Sequence, residues 1–327
     1  MDNIICPKYF FHVFGLKSYP KLGVGLYHQW IIQSKLFSSL VRKFGQYFRT
    51  ILYRINIIII TPNYILMELQ TYNHRKITNN VYLIEESYYK SGNRANIWLI
   101  KGSSKNLLID TGLGLHNLRQ YLTSSGLLED CSNLLAIATH VHFDHSGGLH
   151  QFDQVAIHRV EAAALNAGDQ VEALTWLSDE EIDPPPHEGW QASQYRVKQA
   201  TVSLHLEEGD KVDGEDVVLE VIHLPGHSRG SIVLLERKKH WLFTGDVVYD
   251  GGLLDWLPTS NVQVYKNSME RLIEIVKKDE DLIVFPGHGP VLSGSQTIHI
   301  AETYLASAGL PHKVCNYQNS LRVSCFQ

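Results

Sequence analysis

Thr139-His140-Val141-His142-Phe143-Asp144-His145-Ser146-Gly147-Gly148 packs three imidazoles and a carboxylate into six positions, directly after an apolar run from Leu134 to Thr139. That run reads as a buried strand. Neutral imidazole and carboxylate are both good zinc ligands, the nitrogen at about 2.0–2.1 Å, and a tight loop can turn alternate side chains toward two neighbouring ions. Gly147-Gly148 lets the backbone leave the loop sharply and start the next element. On its own, a His-x-His segment would equally fit a surface histidine cluster with no metal.

Three further segments change the balance. Leu224-Pro225-Gly226-His227-Ser228 offers a histidine after the run from Val217 to Leu224. Phe243-Thr244-Gly245-Asp246 and Phe285-Pro286-Gly287-His288-Gly289 offer an aspartate and another histidine after the runs from Trp241 to Thr244 and from Leu282 to Phe285. The segments from Asn96 to Ile100, from Asn106 to Ile109 and from Ile232 to Leu235 are strand-like as well. Loops at strand ends are where a rigid scaffold holds functional groups, and four such loops with ligand-type side chains are not expected by chance. From Gly168 to Gln199 the chain is polar, contains Pro184-Pro185-Pro186 and gives few strand signals.

The 327 residues, 44% of them apolar, suffice for one large α/β domain. Four widely spaced cysteines (Cys6, Cys131, Cys315, Cys325) and no convincing signal peptide support neither a disulfide framework nor a C-x-x-C knuckle, so a reducing, cytoplasmic compartment is expected. Residues 1–66 carry eight Lys or Arg against one acid, net +7, leaving 21 basic and 33 acidic residues, net −12, in the remainder. An acidic body repels a phosphate backbone, which argues against a nucleic-acid partner. The basic, aromatic stretch 1–66 does not conform to the rest. Its run from Ile51 to Ile60 is too short for a membrane span and is interrupted by Arg54. Either it is an artefact of the gene model, with translation starting at Met67 and the domain covering 67–327, or it is a targeting or membrane-surface segment.

The pattern His-x-His-x-Asp-His, followed by the distant His227, Asp246 and His288, resembles the signature of the metallo-β-lactamase superfamily and covers the chain from Ile77 to about Tyr304. That resemblance implies an α/β fold, a four-layer αββα sandwich. It also implies two Zn2+ per chain: His140, His142 and His227 for one, Asp144, His145 and His288 for the other, with Asp246 bridging. Asp110, in Ile109-Asp110-Thr111-Gly112, would orient the ligand loop. Longer matches resemble a branch of acyl-CoA thioesterases within that superfamily. They include Ser91-Gly92-Asn93-Arg94-Ala95-Asn96-Ile97-Trp98, Thr175-Trp176-Leu177-Ser178-Asp179, Pro225-Gly226-His227-Ser228-Arg229-Gly230-Ser231 and Gly245-Asp246-Val247-Val248-Tyr249-Asp250-Gly251. In that branch a lipidation-site cysteine stands just before the helix Glu270-Arg271-Leu272-Ile273-Glu274; here the position is Met269, so peripheral membrane association by that route is not implied.

The expected activity is zinc-dependent cleavage of long-chain, palmitoyl-type acyl-CoA to fatty acid and CoA. Asp144 and Asp246 are the candidate catalytic carboxylates, orienting water and accepting its proton. Trp176, Leu177, Trp190, Leu253, Leu254, Trp256 and Leu257 offer apolar bulk for an acyl groove, and Arg94, Arg159, Arg229 and Lys266 offer cations for the CoA phosphates. Among these, Arg94, Arg229 and Trp256 are the leading substrate contacts. A glyoxalase II-like hydroxyacylglutathione hydrolase and a β-lactamase or lactonase use the same metal chemistry, and only the loops around the site can choose among them.

Overall fold

The computed structural model describes residues 71–308. The stretch 1–66, with both readings of it, and the start at Met67 lie outside the described residues. Two mixed sheets form the centre, each in chain order. The first runs β1 (Tyr72–Lys76), β2 (Val81–Glu86), β3 (Ile97–Ile100), β4 (Asn106–Ile109), β5 (Leu134–Ile137), β6 (Gln154–His158) and β7 (Leu204–Leu206). The second runs β8 (Lys211–Asp213), β9 (Val218–His223), β10 (Ile232–Glu236), β11 (Trp241–Gly245), β12 (Ile283–Pro286) and β13 (Leu292–Ser293).

The central strands β3, β5, β10 and β11 are buried at every position and apolar throughout except for Glu236 and Thr244. This is the pattern of strands covered on both faces. Side chains of these strands and of β9 and β12, including Trp98, Ile137, Val221, Leu234, Phe243 and Phe285, form an apolar layer between the sheets. The other faces are covered by helices. On the first sheet these are α1 (Leu118–Ser124) and, beyond the one-turn α2 (Phe143–Ser146) in the chain, α3 (Arg159–Ala167); Leu118, Tyr121, Leu122 and Leu165 join a second core. On the second sheet α4 (Val262–Lys277) and α5 (Gly294–Ser307) close a third, through Tyr265, Met269, Leu272, Ala301 and Tyr304. Three apolar layers between four layers of structure make the αββα sandwich.

The helix expected to begin at Glu270 starts earlier, at Val262. The Asn261 side chain accepts the Val264 N–H as an N-cap, and buried positions then recur at helical spacing through Tyr265, Ser268, Met269, Leu272, Ile273 and Val276. Met269 is therefore a core residue within α4 rather than a flanking one. The polar stretch 168–199 carries two short helical turns and a single bridge, Tyr89 to Ile182, with no strand. No helix among the described residues is long and apolar enough to cross a membrane.

Candidate metal centre

Strand direction brings the ligand loops together. β4, β5 and β6 run parallel, so their C-terminal ends share an edge of the first sheet. In the second sheet β11 and β12 are parallel, and β9 is antiparallel to β10, itself antiparallel to β11. The ends of β9, β11 and β12 therefore fall on one edge too. Backbone bonds stitch these edges: Ile232 N–H donates across the sheets to Thr139 O at 3.0 Å, and Gly287 N–H donates to Gly245 O at 2.8 Å. Asn96 Nδ2 reaches Pro286 O at 3.0 Å and Gly289 O at 2.9 Å, and Trp98 Nε1 also reaches Pro286 O at 3.0 Å. Gly287 is required by close approach, since a Cβ there would come within 2.5 Å of Asp246 Oδ1.

All seven residues named from the sequence converge at this edge, each less than a tenth exposed. His140 Nε2 and His227 Nε2 each lie 3.0 Å from His142 Nδ1. On the other side His145 Nε2 lies 3.3 Å from His288 Nε2, and both are 3.5 Å from Asp144 Oδ2. Asp246 spans the two groups, with Oδ1 at 3.2 Å from His145 Nε2 and His288 Nε2 and Oδ2 at 3.5 Å from His227 Nε2.

The outer nitrogens show why this set fits a cation. His227 Nδ1–H donates to Leu254 O at 3.0 Å, and His288 Nδ1–H donates to Arg94 O at 3.1 Å. Asp110 Oδ2 accepts from His145 Nδ1 at 2.8 Å and from the Thr139 hydroxyl at 2.9 Å, and that hydroxyl accepts from His140 Nδ1 at 3.1 Å. When these four rings are neutral the protons therefore sit outside and bare lone pairs face inward, while the outer His142 Nε2 is buried without a partner. Asp246 Oδ1 accordingly has no hydrogen-bond donor, although it is buried. Lone pairs and carboxylates converging in a buried site are stabilised by a cation, and imidazole with carboxylate is a zinc-type donor set.

The protonation preferences agree. Burial, reinforced by neighbouring imidazoles, holds His140 and His142 well below the usual histidine value, and burial lowers His227. Burial opposes charge on His145 and His288 as well, but the carboxylates of Asp246 and Asp144, with Asp110 for His145, outweigh it and raise both. Burial likewise pushes Asp144 up; for Asp246 it is overcome by His288 and His145, which hold that carboxyl well below the usual range. The site favours positive charge beside Asp246.

An open cleft of about 450 Å³ lies over these groups, walled by Gly92, Asn93, Phe143, Leu174, Trp176, Tyr249, Leu254 and Leu257. Of the apolar residues expected to form a groove, Trp176, Leu254 and Leu257 line it. Leu253 is instead buried in the core behind it, and Leu177 and Trp190 pack on the core of the first sheet. Trp256 is not on the wall; its ring stacks on Trp176 at 6.5 Å and 14°, at the rim. Of the four expected phosphate contacts, three pair with carboxylates, Arg94 with Glu85 at 2.6 Å, Arg159 with Glu207 at 2.5 Å and Arg229 with Glu172 at 2.7 Å, and Lys266 does not line the cleft. None of the three guanidinium groups lines the cleft.

Two buried carboxylates escaped the sequence reading. Glu86, at the end of β2, accepts the Leu113 N–H at 2.9 Å and the Tyr88 hydroxyl, holding the loop that follows Asp110. Burial pushes its carboxyl up to about 7. Glu161 lies in the first turn of α3. Both look like ordinary acids on a strand end and a helix start, and no spacing rule points to them.

With this geometry in view, the comparisons with known proteins are direct. The profile of the metallo-β-lactamase superfamily matches residues 92–288. Acyl-coenzyme A thioesterase MBLAC2 of Bos taurus is 49% identical over 257 residues, covering 76% of this chain and 92% of that protein. The Homo sapiens protein of the same name is 48% identical over the same shares. Among solved structures, a metallo-β-lactamase from Pontibacter korlensis superposes with a TM-score of 0.53 at 18% identity, covering 72% of this chain and 97% of that one, a likeness of fold. Ligand loops, sandwich and sequence similarity agree, and the chain belongs to the metallo-β-lactamase superfamily.

Proposed function

We propose that this protein is a binuclear zinc hydrolase that cleaves long-chain acyl-CoA to fatty acid and CoA. The observation that carries the chemistry is the convergence of seven buried ligand-type side chains, five of which (His142, Asp144, His227, Asp246 and His288) line a cleft with apolar residues around it. The substrate class is supported by the 49% identity to a protein named as an acyl-CoA thioesterase. His140, His142 and His227 would hold one zinc, Asp144, His145 and His288 the other, with Asp246 shared. Zinc bound there supplies Lewis acidity toward a carbonyl oxygen and lowers the pKa of water toward neutrality.

The chain's own residues do the rest. Asp144 lines the cleft, where its carboxylate can orient the attacking water and accept the proton that water gives up on attacking the acyl carbon. As the carbonyl re-forms, the C–S bond breaks and the thiolate leaves with the electron pair. A thiol of pKa about 8.5 needs little help from an acid. Phe143, Leu174, Trp176, Leu254 and Leu257 exclude water along one wall and offer apolar surface to an acyl chain.

Each additional buried methylene contributes about 0.8 kcal/mol, so efficiency should rise steeply from acetyl-CoA to palmitoyl-CoA. Trp176→Ala, which also removes the stacking partner of Trp256, should flatten that rise and leave acetyl-CoA hydrolysis nearly unchanged. The test is a panel of acyl-CoA chain lengths, S-lactoylglutathione, a cephalosporin and a phosphodiester, each with and without chelator. A preference for S-lactoylglutathione, or a flat chain-length profile, would overturn the acyl-CoA reading.

A further inference from the structure

One carboxylate joins two of the ligand loops, one from each sheet. Glu161 is 1% exposed, and backbone N–H groups rather than a cation meet its carboxylate. Oε2 accepts the N–H of Val141, the residue between His140 and His142, at 2.8 Å. Oε1 accepts the N–H of Gly230, three residues beyond His227, at 2.8 Å. The fit is close, since a Cβ on Gly230 would come within 2.7 Å of the Glu161 carboxyl carbon.

Burying a carboxylate without a counter-charge is costly unless hydrogen bonds replace its water. Here they do so in a particular way: both oxygens are used, and each holds the backbone beside a different member of the group His140, His142 and His227. The other group is held differently. Asp110 fixes His145, and Asn96, through Pro286 O and Gly289 O, fixes the His288 loop. Asp110 also reaches His140 through Thr139, but only Glu161 ties the His140–His142 stretch to the His227 loop through both of its oxygens.

We infer that Glu161 is a positioning residue that sets the distance between the His140–His142 loop and the His227 loop, and thereby the metal affinity of that group, without touching metal or substrate. This rests on the two-metal reading above. Glu161→Gln keeps the shape but turns an amide N–H₂ toward one of the two backbone N–H groups, so one loop loses its acceptor. Glu161→Asp keeps the charge but is too short to reach both loops.

The test is a Co2+ titration of the metal-free full chain against a competing chelator, following stoichiometry, the two stepwise affinities and the visible spectrum, beside thermal unfolding of the metal-free protein. Glu161→Gln should weaken one step by about 10–100-fold, the loss typical of outer-sphere partners, and alter the spectrum of that ion while the other step stays in place. Glu161→Asp should weaken the same step by less, which keeps the test usable if the Gln variant does not fold. Two steps unchanged, or both weakened together in proportion to lost thermal stability, would overturn the inference. A wild-type chain that binds fewer than two ions overturns the two-metal reading instead, a result read from stoichiometry alone.

Discussion

Two histidine clusters lie near the same loop edge, and they behave oppositely. In the first, five imidazoles turn their outer nitrogens to backbone carbonyls, Asp110 or Thr139 where these are available, and their inner nitrogens to one another and to Asp246. In the second, the rings of His158 and His223 stack face to face at 3.9 Å and 17°. There the nitrogens point outward along the backbone. His158 Nδ1 accepts the Val160 N–H at the start of α3, and His223 Nε2 meets Arg229 O at 2.9 Å. Among the described residues, only the first cluster brings three ligand atoms within 4.8 Å of one another. Proximity of histidines does not make a metal site; the direction of the lone pairs and a carboxylate among them do.

The sharpest way to break the contrast is Asp246→Ala. It removes the one side chain shared by both ligand groups and leaves lone pairs facing lone pairs. Turnover should fall by more than about a hundredfold, the upper end of outer-sphere losses being the floor for a direct ligand. Metal content measured by elemental analysis should fall with it, whereas His158→Asn should retain full metal content. Wild-type metal content in Asp246→Ala would mean that the shared role is misassigned.

Asp110→Asn probes the support rather than the site. An amide accepts more weakly than a carboxylate and cannot serve His145 Nδ1 and both groups of Thr139 equally well. Metal affinity should drop by roughly 10–100-fold with the fold intact. Competition against a chelator checks the first point and thermal unfolding the second. The positive φ of Asp110, 61°, marks a backbone held there by its surroundings, and asparagine tolerates the same conformation, so any loss reports the charge.

The smallest effect belongs to the stacked pair. Burial first, then His223 and Arg159, lower His158 to about 4, with Asp210 and Glu208 acting against them. Its folded value thus lies below the unfolded 6.5, so the unfolded chain takes the proton first. The stability this neutral ring contributes is fully present above pH 6.5 and is lost as pH falls toward 4. His158→Asn should narrow the fall in Tm between pH 7.5 and pH 5 by a few degrees. Equal pH dependence in both proteins would show that the stack does not carry the linkage.

The contrast also marks what could be read in advance. His140, His142, Asp144 and His145 lie close together in the chain after an apolar run, and His227, Asp246 and His288 each follow a strand. Short-range spacing and strand periodicity are local properties, so the strands and all seven converging residues were legible, while the sandwich was implied by the family resemblance. The cleft wall was less so. Leu253 and Leu254 are adjacent and equally apolar, yet one is core and the other wall, because an irregular loop has no period to separate its faces. Arg94 and Arg229 are positively charged in any reading, but only folding sets Glu85 and Glu172 beside them. Glu161 is the extreme case. Its partners lie 20 and 69 positions away and are backbone N–H groups, which every residue except proline carries. Sequence alone determined which side chains can bind a metal, since that is a matter of atom type and strand-end position. Tertiary structure decided which nitrogen of each ring faces inward and which carboxylate braces two loops, because both depend on backbone groups that carry no signature in the chain.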